Sequence, residues 1–351
     1  MSRNFVMLPM IQGEESFKIA YPDVTYFMDR IHSDRPFSIS RLLHGALSRF
    51  APLYTILDHS SVYDRVSNGT ISHGELSRMW AKSHYESWGE LGVDDGGTSR
   101  SLDLSEDYYK SILCEHNKDP NFFLGISERS FWLDRNLELV QRPRGVKRGD
   151  GGGSLVPTNL GDRHLLNSRF SGHDPYKKVT SACKLIQEVY SPHDEDSSPR
   201  VFAGHIIKNW VWSGEFKKYF FDQFKDDMFL FVVPERDVTR GLAERIDIPN
   251  FHYIECSETR AVEQFNDILK EIKKKQKEMK GQYKRLFFLF SIGMAGEFLI
   301  SHLHKDRESD DNFYYISMGI ASVMYVGEIA PGYGLGNCFC QVFDPEVVKL
   351  P

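Results

Sequence analysis

FFLFSIGMAGEFLISHLHKDRESDDNFYYISMG, residues Phe287 to Gly319, is the stretch that decides the fold. Its opening apolar run, Phe287 to Ile292, has the length and aromatic content of a buried strand. The run stops at Gly293 and Gly296, and from Glu297 to Leu303 the apolar residues Phe298, Leu299 and Leu303 fall at helical spacing. A second apolar strand, Tyr314 to Ser317, ends at Met318-Gly319. Strand, glycine turn, helix, strand is the βαβ crossover, which joins parallel strands and sets a ligand at their carboxyl ends. Two glycines at the strand-to-helix turn allow close approach to the helix N-terminus, whose free N–H groups favour an anionic group such as phosphate. The pattern points to a nucleotide without naming it. The same glycines also serve plain strand–helix packing, so a packing turn stands beside the ligand turn. The spacing is GxxG rather than GxGxxG, and Glu328 is poorly placed to hold a ribose, which argues against NAD.

Working outward, strands and helices alternate through the second half of the chain. Val201 to Ile206 reads as a strand, Phe216 to Phe224 as a helix and Met228 to Val233 as a central strand. Phe251 to Ile254 is a further short strand and Ala261 to Lys280 a long helix. Upstream, Phe37 to Ser40 alternates as a strand after Pro36, and Arg41 to Phe50 shifts to helical periodicity. Leu104 to Cys114 and Tyr176 to Tyr190 read as helices, and Phe122 to Ile126 as a buried strand. The expected fold is α/β, a Rossmann-like, mostly parallel sheet with helices on both faces. One domain is expected over residues 1–351, with Gly-rich loop insertions at 91–103 and 141–175.

The totals bound the function. The chain has 351 residues, a formal net charge of −6, 41% hydrophobic and 26% charged residues. That balance argues against a general nucleic-acid binder, which needs a basic surface. The basic run from Lys270 to Lys284 fits the solvated face of a helix, because Phe265, Ile268, Leu269 and Ile272 supply its apolar stripe. Five scattered cysteines without a CxxC pair indicate neither a zinc site nor a disulfide framework. No apolar stretch is long enough to span a membrane and no signal-peptide pattern opens the sequence, so a soluble, cytoplasmic protein is expected. No Ser-His-Asp, zinc or P-loop signature is found in the sequence.

The order of these motifs resembles the GT-D-type glycosyltransferases, a family formerly known as a domain of unknown function. Ser38-Ile39-Ser40-Arg41-Leu42-Leu43-His44-Gly45-Ala46 lies on that family's strand followed by S-x-S-R-F-G-D-G-E. Met228 to Val233, Tyr253 to Cys256, the helix from Arg260, and Phe290 to Gly293 followed by Leu299-Ile300 match later features in order. Ile316-Ser317-Met318-Gly319 sits where the family has D-I-G. The resemblance covers about two-thirds of the chain and implies transfer of a sugar from a nucleotide-diphosphate sugar donor to a carbohydrate or glycoprotein acceptor.

The family's Asp-Gly-Glu is replaced here by His44, Gly45 and Ala46. Mg²⁺ and Mn²⁺ prefer carboxylate oxygens, so a metal is expected to be held weakly or not at all, and no metal ligand is assigned. Three forms stand open. A metal-independent enzyme would use Arg41, His44 and helix N-terminal amides on the diphosphate. Ser72-His73-Gly74-Glu75 could instead supply the missing carboxylate. A catalytically inactive relative would bind a glycan or act as a scaffold. The candidate catalytic residues are His44, whose pKa suits a base near neutrality, and Glu75. The candidate donor-binding residues are Arg41, Gly45, His205, Gly293, Gly296, Glu297 and Gly319. Glu297 also suits the helix N-terminus by its charge alone, and it would favour a sugar or ribose hydroxyl there over a phosphate. Asp194-Glu195-Asp196 reads as a solvated acidic loop, and Trp210-x-Trp212 as a one-face pair if extended.

Overall fold

The structure is a computed structural model. It describes residues 5–12, 15–42, 110–126, 199–204, 206–257 and 261–325, with Leu104, Asp107, Tyr108, Ile186, Val189 and Tyr190 on the connections. Nine strands form one sheet: β1 Phe5–Gln12, β2 Glu15–Pro22, β3 Ser38–Leu42, β4 Phe122–Ile126, β5 Val201–Ala203, β6 Met228–Pro234, β7 Phe251–Cys256, β8 Leu286–Phe290 and β9 Phe313–Ser317. Their spatial order is β1-β2-β5-β4-β3-β9-β8-β6-β7. Only the β1–β2 hairpin is antiparallel; every other neighbouring pair is parallel. Central strands read as unbroken apolar runs, LFFLF in β8 and MFLFVVP in β6, because helices cover both of their faces.

Six helices accompany the sheet among the described residues: α1 Val24–His32, α2 Ile206–Ser213, α3 Glu235–Thr239, α4 Leu242–Ile246, α5 Phe265–Met279 and α6 Gly293–Lys305. Asp23 caps α1 through Thr25 N at 2.9 Å, and α1 buries Val24, Phe27, Met28 and Ile31 along one stripe. Phe27 is the hub of that face, with ring centroids 5.2 Å from Phe123, 5.3 Å from Phe37, 5.6 Å from Phe202 and 5.9 Å from Trp210 of α2. On the opposite face, Tyr315 of β9 accepts from Gln276 of α5, and Ser38 and Ser40 of β3 hydrogen-bond to α6.

The division of helices follows the direction of each crossover. β2 to β3, β5 to β6 and β6 to β7 step one way along the sheet, and they carry α1, α2 and α3–α4 on the Phe27 face. β3 to β4, β7 to β8 and β8 to β9 step back, and they carry the turns at 111–118, α5 and α6 on the other. A single crossover hand requires this separation. The α/β class with a mostly parallel sheet and helices on both faces is therefore present as expected.

Several boundaries differ from the sequence reading. Arg41 and Leu42 complete β3 rather than opening a helix, in register with Gly125 and Ile126 of β4. The Val201 strand stops at Ala203 and helix α2 starts at Ile206, so Trp210 and Trp212 lie on a helix and not on an extended segment. α6 begins at Gly293, four residues ahead of Glu297, because Met294 and Ala295 are already buried in its first turn. The β1–β2 hairpin was not anticipated; β1 tolerates Pro9 because it is an edge strand. The expected loop insertions at 91–103 and 141–175 lie outside the described residues. Among the described residues no helix is long and apolar enough to cross a membrane.

Candidate functional site

At the carboxyl edge of the sheet, β3 and β9 lie side by side. The chain parts there: the next continuous described stretch after β3, the turns at 111–118, lies on the α6 face, and the turn Gly319–Met324 after β9 reaches Asp237 of α3 on the Phe27 face. Such a divergence opens the crevice where ligands settle in parallel α/β sheets. Arg41, next to last in β3, is only 2% exposed at this point. Its Nε donates to Ser317 Oγ at 2.9 Å and its Nη1 to the Gly204 carbonyl at 3.3 Å.

Two glycines make room for that side chain. A Cβ on Gly319, which sits at φ +52°, would stand 2.0 Å from Arg41 Nη2. A Cβ on Gly125 would stand 2.8 Å from the Gly204 Cα and 3.0 Å from Arg41 Cγ. Local sequence therefore fits the guanidinium: glycine at the register partner of Arg41 on β4, and glycine at the exit from β9.

Glu297, in the second turn of α6, closes the cluster from the other face. Its Oε2 accepts from Ser40 Oγ at 2.8 Å and from the Arg41 backbone N–H at 2.7 Å, and its Oε1 accepts from Ser317 Oγ. Because Ser40 spends its proton on Glu297, the 2.7 Å contact with Tyr108 must run from the Tyr108 hydroxyl to Ser40. Burial pushes the Glu297 carboxyl above its usual range, against the pull of the Arg41 charge and of the hydroxyl and amide donors. The result is a closed polar chain through Tyr108, Ser40, Glu297, Ser317 and Arg41 that ties β3, β9 and α6 at one point. The Glu297 oxygens and the Ser40 and Ser317 protons are spent within it. Its chemical work is to fix the exits of β3 and β9.

What faces outward beside this knot is the β8–α6 turn. Gly293 adopts φ +60° and is exposed, and the N-cap residue Ile292 makes no side-chain cap, so among the described residues no side chain caps the first-turn amides of α6. Ser291 Oγ is buried beside them without a hydrogen-bond partner among the described residues. Gly296 plays a packing part, since a Cβ there would stand 3.2 Å from Phe290 Cβ.

Of the residues singled out by sequence, Arg41, Glu297 and Gly319 are thus brought together, with Gly293 and Gly296 on the adjoining turn. His44, Gly45, Glu75 and His205 lie outside the described residues. Ser40, Ser317, Tyr108 and Gly125 were missed. The one sequence signal for Ser40, Ser317 and Gly125 is hydroxyls and glycine at the carboxyl ends of otherwise apolar strands; Tyr108 lies on a connection and had none.

A Ser-His-Asp arrangement does occur, although no sequence signature announced it. Ser38 Oγ lies 2.7 Å from His304 Nδ1, and His304 Nε2 lies 3.0 Å from Asp119. An ionised Asp119 can only accept, so Nε2 carries the proton and Nδ1 accepts from Ser38. Ser38 is 0% exposed at the amino end of β3, so no substrate reaches its oxygen, and the trio is a structural pin. Beside it, His116 bonds Ser301 at 2.8 Å and stacks on Phe122.

No family model matches the chain, and no curated protein matches it. Two solved structures are similar to it. One is of the highly conserved domain of unknown function 1792, described as having a distinct glycosyltransferase fold. It is 9% identical, with a TM-score of 0.43 over 85% of this chain and 77% of that chain. The other, a selenomethionine-substituted structure of the same domain, is 10% identical with the same TM-score and coverage. These neighbours are of the kind that the motif order resembles, and likeness at this level says nothing about chemistry.

Proposed function

We propose that the chain is a glycosyltransferase, moving a sugar from a nucleotide-diphosphate sugar to a glycan acceptor at the carboxyl edge of the sheet. The observation that carries this reading is the α6 first turn without a side-chain cap at Gly293, standing beside the rigid Arg41–Glu297–Gly319 knot. A diphosphate is stabilised by free helix N-terminal amides, and transfer requires that leaving group to be neutralised. In this reading His44, three residues past Arg41, is the base for the acceptor hydroxyl, with Glu75 and His205 completing the cleft and Gly45 giving the donor room.

Mn²⁺ or Mg²⁺ fits poorly with the described residues at this edge, because both oxygens of Glu297 are engaged by protein donors. The one group of three acids within ligating reach among the described residues, Glu308, Asp310 and Asp311, is bridged by Lys280 at the far end of the sheet. A metal-independent transfer follows as the favoured form. Thermal shift and calorimetry with a panel of nucleotide sugars, with Mn²⁺ and with chelator, test it. Stabilisation by one donor, unchanged by chelator and weakened by His44→Ala, is expected. No stabilisation by any nucleotide sugar would sink the reading.

A further inference from the structure

A cleft of about 350 Å³ opens at the amino edge of the sheet, between the α5 residues Lys273, Gln276 and Lys277 and the segment following α6. Leu303, Phe313 and Tyr315 line its apolar side. Four cations face three acids there: Lys273, Lys277, Lys280 and Arg307 against Asp306, Glu308 and Asp311. The acids are spent on two of the lysines. Lys273 Nζ lies 2.6 Å from Asp306, and Lys280 Nζ lies 2.7 Å from Asp311 and 3.4 Å from Glu308.

Arg307 is left over. Its Nη1 is shut off from solvent without an acceptor, and none of its guanidinium nitrogens makes a hydrogen bond or ion pair among the described residues. Lys277 makes no ion pair among the described residues either. Basic residues commonly serve helix C-termini, where the dipole contributes about half a negative charge. Lys277 in the last turn of α5 and Lys305 in the last turn of α6 stand where that need is met. Arg307 lies beyond α6, half-buried, and its desolvation is offset only at a distance, by the charges of Asp119 and Asp311, with no hydrogen bond or ion pair to its guanidinium among the described residues.

We propose that this cleft binds a small phosphorylated ligand, with the Arg307 guanidinium as the anchor, through its nitrogens other than the enclosed Nη1, and Lys277 as the second charge. A planar fork of N–H donors matches two phosphate oxygens, and the second cation balances a dianion. The cleft stands at the amino ends of β8 and β9, the opposite edge of the sheet from Arg41 and Gly293. It is therefore a second ligand site, filled independently of the donor site.

Isothermal calorimetry of the full chain with pyrophosphate and with inorganic phosphate tests the assignment. Pyrophosphate is expected to bind saturably. Arg307→Gln should weaken it at least tenfold, Arg307→Lys by less, and Lys277→Ala about threefold. Lys274→Ala, on α5 but outside the cleft, should leave the affinity unchanged. Circular dichroism checks that the Arg307 variants fold, and exposed Lys277→Ala keeps the test open if they do not. No saturable binding, binding indifferent to both Arg307 and Lys277, or an equal loss in Lys274→Ala would each overturn the assignment.

Discussion

Each oxygen of Glu297 is already taken, by Ser40 and the Arg41 backbone on one side and Ser317 on the other. Truncation to alanine would strand three donors and remove a buried carboxylate whose charge acts on Arg41. Glu297→Ala is therefore expected to cost on the order of 3–5 kcal/mol. Glu297→Gln keeps one carbonyl oxygen for Ser40 and Arg41, while its amide can donate to Ser317, so it should cost clearly less. Urea unfolding of both variants measures the difference; equal losses would show that the acceptor at Oε2 is not what holds the knot. Sequence reading found Arg41 and Glu297 as candidates but saw them as ligand groups on separate motifs. Their pairing links residues 256 positions apart, which no local pattern can show.

At the scale of the element, α6 explains why the site was only half legible. Its apolar residues at helical spacing announced a core helix, and it is one. Yet Glu297, Ser301 and His304, at i, i+4 and i+7, form a polar stripe within it, each bonded to a buried partner. The partners come from β3 and from the 116–118 turn, so the stripe could not be told from an exposed face by sequence alone. Two buried histidines meet here, His116 and His304, with rings 5.0 Å apart. Burial, reinforced for His116 by its neighbour His304, lowers the His116 pKa to about 3; burial also lowers that of His304, against the pull of Asp119. Asp119, despite its own burial, is held at about 2 by the His304 and Asn121 donors, so it stays charged throughout the window in which the histidines matter.

The sign follows from linkage. Above the unfolded histidine value, about 6.5, both rings are neutral in both states and their contribution is complete. As pH falls below it, the unfolded chain takes up protons that the folded one refuses. Stability then drops by about 1.4 kcal/mol per pH unit for each histidine until its folded pKa is reached. Melting temperatures from pH 7.5 to 4.5 should fall steeply in the native chain and less steeply in His116→Asn and His304→Asn. Identical slopes in all three would refute a burial penalty on these rings.

For the molecule as a whole, the parallel centre was legible because strands covered on both faces must be largely apolar, as β4, β6, β8 and β9 are apart from Gly125 and Ser317. Strand order was not legible. It depends on which way each crossover steps, and the sheet solves that by sending each direction to its own face. The β1–β2 hairpin escaped notice because its strands are peripheral and β1 carries a proline. Among the described residues that hairpin pairs with the rest of the sheet at one register position, Ala20 with Phe202, whereas β8 pairs along its whole length with both neighbours. In native-state hydrogen exchange, amides of Phe5 to Pro22 should trade deuterium through partial opening, orders of magnitude faster than those of Leu286 to Phe290. Equal protection in the two segments would contradict this. The N-terminal strip is thus a removable selvedge: it can peel from the fabric and reseal while the weave that carries the carboxyl edge stays intact.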